Sequence, residues 1–533
     1  MGGGYMSIVD LKHPNGTIYV YESHSYWDKE KKQPRNKRVC IGKRNSETGE
    51  IIYSKRFEQE IPETIRRGRK PQTQTRRVFY GATYLLDQIG EKTGLTEDLA
   101  RCFPESYKMI QSLAYFLILE SKSPVSRFPK WDHLHLHPYG KNIPSQRSSG
   151  LFSQIDEASK MAFFKCLAER RQETEYLAYD TTSISSYSQS LKQVKFGKNK
   201  DHDPLPQINL ALIYGEKSNL PVYYRKLAGN ITDVKTVRQL LQDLDFLKIH
   251  QIKLIMDRGF YSEDNINDLY KHHYKFLIAS RISLKMFRGF LNEIRPDITN
   301  RKYYHSSTGL YIQTFPHPWN YRELKPRSQE EVHGKRRMYI HFYYNDQLAL
   351  DERKQFYALL DQLETELLEG TRKPEHEKAY AKYFDVTTNR NKITVTAKES
   401  VIAEQTKNYG YFVLISNAVK DPVEALHLYR NKDLIEKAFG DLRERLNMRR
   451  TSVFSEENLE GKLFVQFVAL YYLSYIKKAM TDHNLFKKYT MQELLDELDV
   501  IECFMREGKQ PQLGEITQKQ NDLYTAMGVD RPT

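Results

Sequence analysis

The order of segments between Glu175 and Arg281 constrains the fold of this chain more than any other feature. Tyr176–Ser183, Gln207–Tyr214 and Leu220–Lys226 are rich in aliphatic and aromatic residues and read as strands, with Gly215–Asn219 turning the second into the third. Asp233–Leu247 places Val237, Leu240, Leu241 and Leu244 on one side behind an acid at its start, the pattern of an amphipathic helix. Ile252–Asp257 is a fourth strand, Ser262–His272 a second helix and Lys275–Ala279 a fifth strand. Short turns join antiparallel strands, whereas helical crossovers join parallel ones. The order therefore predicts an α/β core with a mixed five-stranded sheet, its antiparallel trio first and its parallel strands added by the crossovers.

That order is the one found in the ribonuclease H fold, where the first and fourth strands lie side by side at the sheet centre. Here the first carries Asp180 and the fourth ends at Asp257. Two carboxylates brought together repel, and a divalent cation relieves the repulsion. Mg²⁺ suits them because it takes hard oxygen ligands and keeps positions open for water and phosphate. A third carboxylate is expected from a helix after the sheet, and Glu436, in a helix predicted over Pro422–Leu446, is the candidate. At about 100° per residue, Tyr429, Lys432, Glu436 and Arg443 share an arc of about 60°. Leu428, Ile435, Phe439, Leu442 and Leu446 form the adjoining apolar stripe. A glutamate flanked by two cations and a phenol then faces the aspartate pair. Asp233, Asp264 and Asp441 read instead as a helix cap, a first-turn acid and a surface charge.

The remaining chain divides around this core. Residues 1–65 are β-rich, with strands at Thr17–Tyr21, Arg38–Ile41 and Ile51–Tyr53. A basic hairpin bearing Tyr19, Tyr21, Tyr26 and Trp27 could lie on DNA, or those aromatics could be the only core of a small β domain. Residues 66–80 form a basic linker in which Arg67 and Arg69 flank Gly68, an arrangement that would suit a narrow minor groove but also an ordinary solvated linker. Residues 81–174 read as a helical region, a DNA-binding unit or a plain bundle. His133, His135 and His137 lie there in what reads as a surface loop rather than a metal site. Residues 175–281 and 411–480 are the two parts of the core, the second with a strand at Tyr411–Ile415 and an apolar helix over Asn458–Met480. Between them, 282–410 form a charged, β-rich insertion with strand-like pieces at Gly309–Phe315, Met338–Tyr344 and Lys392–Thr396 and a helix over Asp351–Glu369. The tail, 481–533, is polar, helical in places and available for dimerisation.

Lys+Arg number 82 against 68 Asp+Glu, a net charge of +14, which points to a polyanionic partner, nucleic acid first. Four scattered cysteines make neither a zinc ribbon nor a disulfide framework and fit a reducing cytosol. The longest apolar runs, Met109–Leu119 and Leu463–Ile476, are too short to span a bilayer. A cytoplasmic, nucleoid-associated protein is therefore expected.

Taken together, these motifs resemble the DDE transposases of bacterial insertion sequences, in the insertion-sequence-four superfamily and its 1634-like branch. That superfamily carries Tyr-x2-Arg-x3-Glu-x6-Lys around its third acid. Tyr429, Lys432, Glu436 and Arg443 keep the spacing with the two cations exchanged, a swap that preserves charge but not donor geometry. Asp257-Arg-Gly-Phe-Tyr261 resembles its second-acid motif and Asp180-Thr-Thr-Ser183 its first, and a long β-rich insertion before the third acid is a further shared trait. The resemblance covers about residues 80–480. It implies that Asp180, Asp257 and Glu436 hold two Mg²⁺ ions, with Mn²⁺ able to substitute. It implies cut-and-paste transposition by hydrolysis at the element ends and attack of the freed 3′-OH on target DNA. It also implies contacts from Tyr429, Lys432 and Arg443 to phosphates, and a homodimer on paired terminal inverted repeats. Arg258 is a further candidate for the DNA end or for a structural ion pair; Arg449 and Arg450 are candidates for a DNA channel or a solvated helix end. Two other classes fit parts of the pattern: a structure-selective nuclease on the same fold, and a domesticated, inactive DNA-binding protein. Metal-dependent strand transfer separates both from a transposase.

Overall fold

A computed structural model describes residues 6–14, 16–28, 31–46, 48–54, 75–170, 175–188, 190–200, 203–249, 252–324, 330–389, 392–451, 453, 455–506 and 509–533. Arg67 and Arg69 lie outside the described residues. The chain forms two compact units, Met1–Thr75 with Arg506–Gly508, and Arg76–Met505 with Lys509–Thr533.

The first unit holds an antiparallel sheet of β1 (Met6–Lys12), β2 (Ile18–Asp28), β3 (Gln33–Arg44) and β4 (Ile51–Tyr53), in that order. The basic stretch after Trp27 belongs to a hairpin with longer strands than the local pattern outlines. It continues the ladder to Asp28 opposite Gln33. Aromatics do not form the core: Val20 and Ile41 are buried, while Tyr26 and Trp27 are exposed. The polar, charged face of β3 hides its strand pattern, which is why the sequence showed only Arg38–Ile41.

The second unit starts with β5 (Thr75–Phe79) and six helices: α1 (Gly81–Thr93), α2 (Leu95–Cys102), α3 (Tyr107–Leu119), α4 (Phe128–Asp132), α5 (Ser145–Gln154) and α6 (Glu157–Arg170). Then follow β6 (Tyr176–Ser186), β7 (Gln207–Gly215), β8 (Pro221–Ala228), α7 (Asp233–Phe246), β9 (Lys253–Met256), α8 (Glu263–Lys271) and β10 (Lys275–Ser280). The order β10-β9-β6-β7-β8, with β6, β7 and β8 antiparallel and β6, β9 and β10 parallel, is the arrangement the connections predicted.

The sheet is larger than five strands. After α9 (Arg288–Ile294), strands β11 (Tyr304–His305), β12 (Leu310–Leu324) and β13 (Glu331–Tyr344) extend it. Beyond β10 the order is β16-β13-β12-β11, where β16 is Tyr411–Ser416, and β17 (Arg450–Thr451) pairs with β6, giving ten strands among the described residues. The insertion thus contributes directly to the main sheet. Its remainder, α10 (Asp346–Leu368), α11 (Glu377–Tyr383), β14 (Phe384–Asn389), β15 (Lys392–Ala397) and α12 (Glu399–Thr406), has its own apolar cluster around Leu363, Tyr380 and Phe384.

The helix expected over Pro422–Leu446 is broken. It runs as α13 (Pro422–Asn431), turns at Lys432, resumes as α14 (Asp433–Gly440) and ends in a π turn, Asp441–Arg445. At the first break Lys432 N–H donates to Tyr429 O and Ile435 N–H to Lys432 O, three residues back. At the second, Leu446 N–H reaches five back to Asp441 O. Tighter and wider turns change the angle per residue, so a uniform wheel fails across them.

The apolar helix α15 (Glu456–Asp482) packs with the N-terminal helices and the sheet. Phe164 sits 5.3 Å from Phe467 and 5.4 Å from Tyr224, ring to ring, and Tyr115 is 5.4 Å from Tyr472. Gly461 lets α15 meet α5: a Cβ there would lie 2.2 Å from the Phe152 carbonyl oxygen. The tail is not simply polar. Leu494, Leu495 and Leu498 of α16 (Met491–Asp499) and Tyr524 of α17 (Gln518–Ala526) are buried in the same core. Strands β18 (Glu502–Arg506) and β19 (Gln512–Leu513) close a small sheet with β5.

The histidine run is not a surface loop. His135 and His137 are buried, and His135 stacks on Trp131 at 4.6 Å. His135 Nε2 bonds Asp499 at 2.9 Å and His137 Nε2 bonds Asp132 at 2.9 Å. The carboxylate on His135 comes from a distant segment and that on His137 from five residues back, and local pattern reveals neither the first partner nor the burial.

Candidate active site

Parallel pairing of β6 with β9 sets Tyr179 opposite Met256, so the next residues along the two strands are Asp180 and Asp257. Both follow buried apolar strand residues that fix the register. Asp180 is buried. Its Oδ1 accepts Thr181 N–H at 2.8 Å and lies 3.3 Å from Lys200 Nζ, which also donates to Thr181 O at 2.5 Å. Burial raises the Asp180 pKa, and the charges of Lys200 and Lys432 oppose that rise without cancelling it. Asp257 is less enclosed and its Oδ1 accepts two bonds, from Arg258 N–H at 2.7 Å and from the Tyr429 hydroxyl at 2.8 Å. Burial pushes Asp257 up as well, but those hydrogen bonds and the Lys432 and Arg258 charges win, leaving its pKa lowered.

Lys432 stands between the acids. Its side chain is 6% exposed and its Nζ donates to Glu436 Oε1 at 2.7 Å. Burial lowers the ammonium pKa, but Asp180, Glu436 and Asp257 together raise it above the ordinary lysine value. One cation therefore serves three carboxylates. Burial, then the charges of Asp257, Glu436 and Asp180, hold the Tyr429 phenol protonated. Glu436 is 57% exposed on the side chain and is engaged with Lys432. Among the described residues no three His, Cys, Asp or Glu side chains gather closely enough to hold an ion as they stand.

Arg443 lies in the π turn, where its Nε donates to Phe439 O at 3.4 Å. Of the common arc drawn on an unbroken helix, Tyr429, Lys432 and Glu436 group around the aspartates, and Arg443 follows the change of pitch at Asp441. The apolar stripe is as expected, with Ile435, Phe439, Leu442 and Leu446 buried. Arg258 is exposed beside Asp257. Arg449 is exposed, and Arg450 on β17 bonds Asp203 at 3.0 Å and the Tyr187 hydroxyl at 2.5 Å.

Of the competing acids, Asp264 is in the first turn of α8, as expected. Asp233 is not the cap of α7, a position held by Thr232. It accepts the Thr181 hydroxyl at 2.6 Å, next to Asp180. Asp441 is not a free surface charge but pairs with Lys477 at 2.8 Å.

A cleft of about 940 Å³ opens beside the acids, lined among others by Asp233, Asp257, Tyr429, Lys198, Lys200 and Arg281. Lys198, Lys200 and Arg281 are functional candidates that sequence reading missed. The available signal was the Lys195–Lys200 run, which carries three lysines and no acid between two core strands. A cleft lined by both cations and carboxylates fits a phosphodiester and an oxygen-liganded cation.

No curated protein matches this sequence significantly. Among solved structures, a piggyBac transposase synaptic complex with hairpin DNA is similar at a TM-score of 0.38 and 8% identity, over 79% of this chain and 76% of that one, a likeness too slight to weigh. A family model described as the transposase DDE domain matches residues 171–472, more than half of the sequence and the whole span bearing Asp180, Asp257 and Glu436, and the chain belongs to that family.

Proposed function

We propose that this chain is a cut-and-paste DNA transposase of the insertion-sequence-four type, built on a ribonuclease-H-like core, with Asp180, Asp257 and Glu436 as its catalytic acids. The observation that carries the reading is the side-by-side register of Asp180 and Asp257 on central parallel strands, with the Tyr429–Glu436 segment over them. The donor set is all hard oxygen and fits Mg²⁺ or Mn²⁺. Two such ions, held by the three acids, would supply activation of the attacking oxygen and stabilisation of the leaving 3′ oxygen. Glu436 joins the aspartates by giving up its bond to Lys432, and the freed ammonium then faces substrate phosphate. The Tyr429 hydroxyl fixes Asp257. Arg258, Arg443 and Arg450, with Arg67 and Arg69 of the linker, are the further DNA contacts. The substrates are the terminal inverted repeats of the protein's own element and a target duplex, engaged by a homodimer on paired ends in the bacterial cytoplasm. No helix among the described residues is long and apolar enough to cross a membrane.

The test is cleavage and strand transfer on the DNA flanking the coding region, with Mg²⁺, for wild type and Glu436→Ala. Activity in wild type, lost in the variant with end binding retained, is expected. Activity that survives Glu436→Ala removes Glu436 from the set, and inactive wild type on end-bound complexes defeats the transposase reading.

A further inference from the structure

The segment between β6 and β7 combines two features that the acids and metal do not explain: a large exposed ring and a run of cations fixed at the cleft. Phe196 is 73% exposed, the most exposed of the large hydrophobic residues described. It is not on a slack loop. Leu191 and Val194 just before it are buried, and Lys195 exchanges both backbone hydrogen bonds with Gln207 at 2.9 Å. On its other side a Cβ at Gly197 would fall 2.0 Å from Gly229 O, so the chain is pressed against the sheet there. Gln207 Nε2 bonds Lys198 O, and Asn199 Nδ2 bonds Ser185 Oγ at 3.2 Å. Phe196 is thus held out into solvent by a tied backbone. Lys198 and Lys200, two and four residues further on, line the cleft that contains Asp257, and two residues span at most about 7 Å. Lys192, Lys195, Lys198 and Lys200 meet no acidic residue between Tyr187 and Lys200.

Cations that track a backbone, with an aromatic face presented beside them, are the elements of single-strand recognition: phosphates meet lysines while an unpaired base stacks on the ring. A base inside a duplex has both faces covered, so this ring suits a base with a free face, and an unpaired one offers it most openly. The geometry points to Phe196 as a stacking platform for an unpaired nucleobase of the DNA strand whose phosphate lies on Lys198 and Lys200, next to the acids. This rests on the reading that DNA enters that cleft.

The test is fluorescence anisotropy with the full chain and three labelled probes of mixed sequence: a blunt duplex, the same duplex with a four-nucleotide 3′ overhang, and that overhang made abasic. Phe196→Ala should weaken overhang binding roughly tenfold. It should leave blunt and abasic probes unchanged, and Phe196→Trp should restore the overhang affinity. Lys198→Ala should weaken all three and reduce the salt slope by about one. Equal losses on all three probes with Phe196→Ala, or no loss on any, overturn the stacking role while leaving DNA binding intact. A wild type that binds no probe overturns the DNA reading and this proposal with it.

Discussion

Replacing Lys432 with methionine tests the electrostatic centre of the site. The substitution keeps length and apolar stem but removes a 6%-exposed ammonium that three carboxylates share. Glu436 is mostly exposed and loses little. Asp180, buried, keeps the Thr181 N–H at 2.8 Å and one cation, Lys200, at 3.3 Å, and Asp257 keeps its two hydrogen bonds. Removing one partner of a buried charge cluster costs about 3–5 kcal/mol. Unfolding entropy of roughly 2.1 cal/mol/K per residue over a unit of about 450 residues gives about 1 kcal/mol/K, so Tm should fall by about 3–5 °C. A divalent cation replaces the lost charge, so Mg²⁺ should raise the Tm of Lys432→Met by more than it raises that of wild type. Differential scanning fluorimetry over a Mg²⁺ series reads both effects. An unchanged Tm, or an equal Mg²⁺ response in the two proteins, refutes the view of Lys432 as the counterion of the aspartate pair.

Other consequences are as direct. Gly461→Ala should cost about 1–3 kcal/mol by forcing α15 off Phe152, and an unaltered Tm would show that the helices can part freely. His341 is fully buried, with Nδ1 on the Thr314 hydroxyl and Nε2 on Val419 O, and burial depresses its pKa to about 4. Its neutral form is favoured in the folded state, so its contribution is complete above pH 6.5 and is lost as pH falls from 6.5 towards 4. The full loss is about 3 kcal/mol, and stability that is flat across that window, relative to His341→Gln, would contradict the burial argument. Arg450→Ala removes a half-exposed guanidinium from Asp203 and the Tyr187 hydroxyl, so Tm should change little while DNA binding loses about one unit of salt slope; an unchanged slope removes Arg450 from the interface. Arg443→Ala should weaken DNA-end binding and strand transfer with Mg²⁺ binding intact, and unaltered end binding would exclude it as a phosphate contact.

What the sequence determined by itself is the central sheet and, through it, the meeting of Asp180 and Asp257. Strand patterns are local, and connection length decides parallel from antiparallel pairing, so β6 and β9 become neighbours before any side chain is placed. The tertiary structure decided the rest. A helical wheel assumes constant pitch, but the turns at Lys432 and Asp441 break it, and the burial of Lys432 among Asp180, Asp257 and Glu436 is set by the fold around it. The insertion read as a separate β-rich body because strand propensity says nothing about partners, yet β13 found β16 and lengthened the main sheet. His135 and His137 looked like solvated polar residues because Asp499 lies far along the chain from them, and Asp132 gave no sign of where the rings would be buried. Lys198 and Lys200 were an ordinary charge run until the fold closed a cleft beside them. Local pattern fixes secondary structure and its pairing order, whereas the position of a buried charge depends on energies summed over residues that only the folded chain brings together.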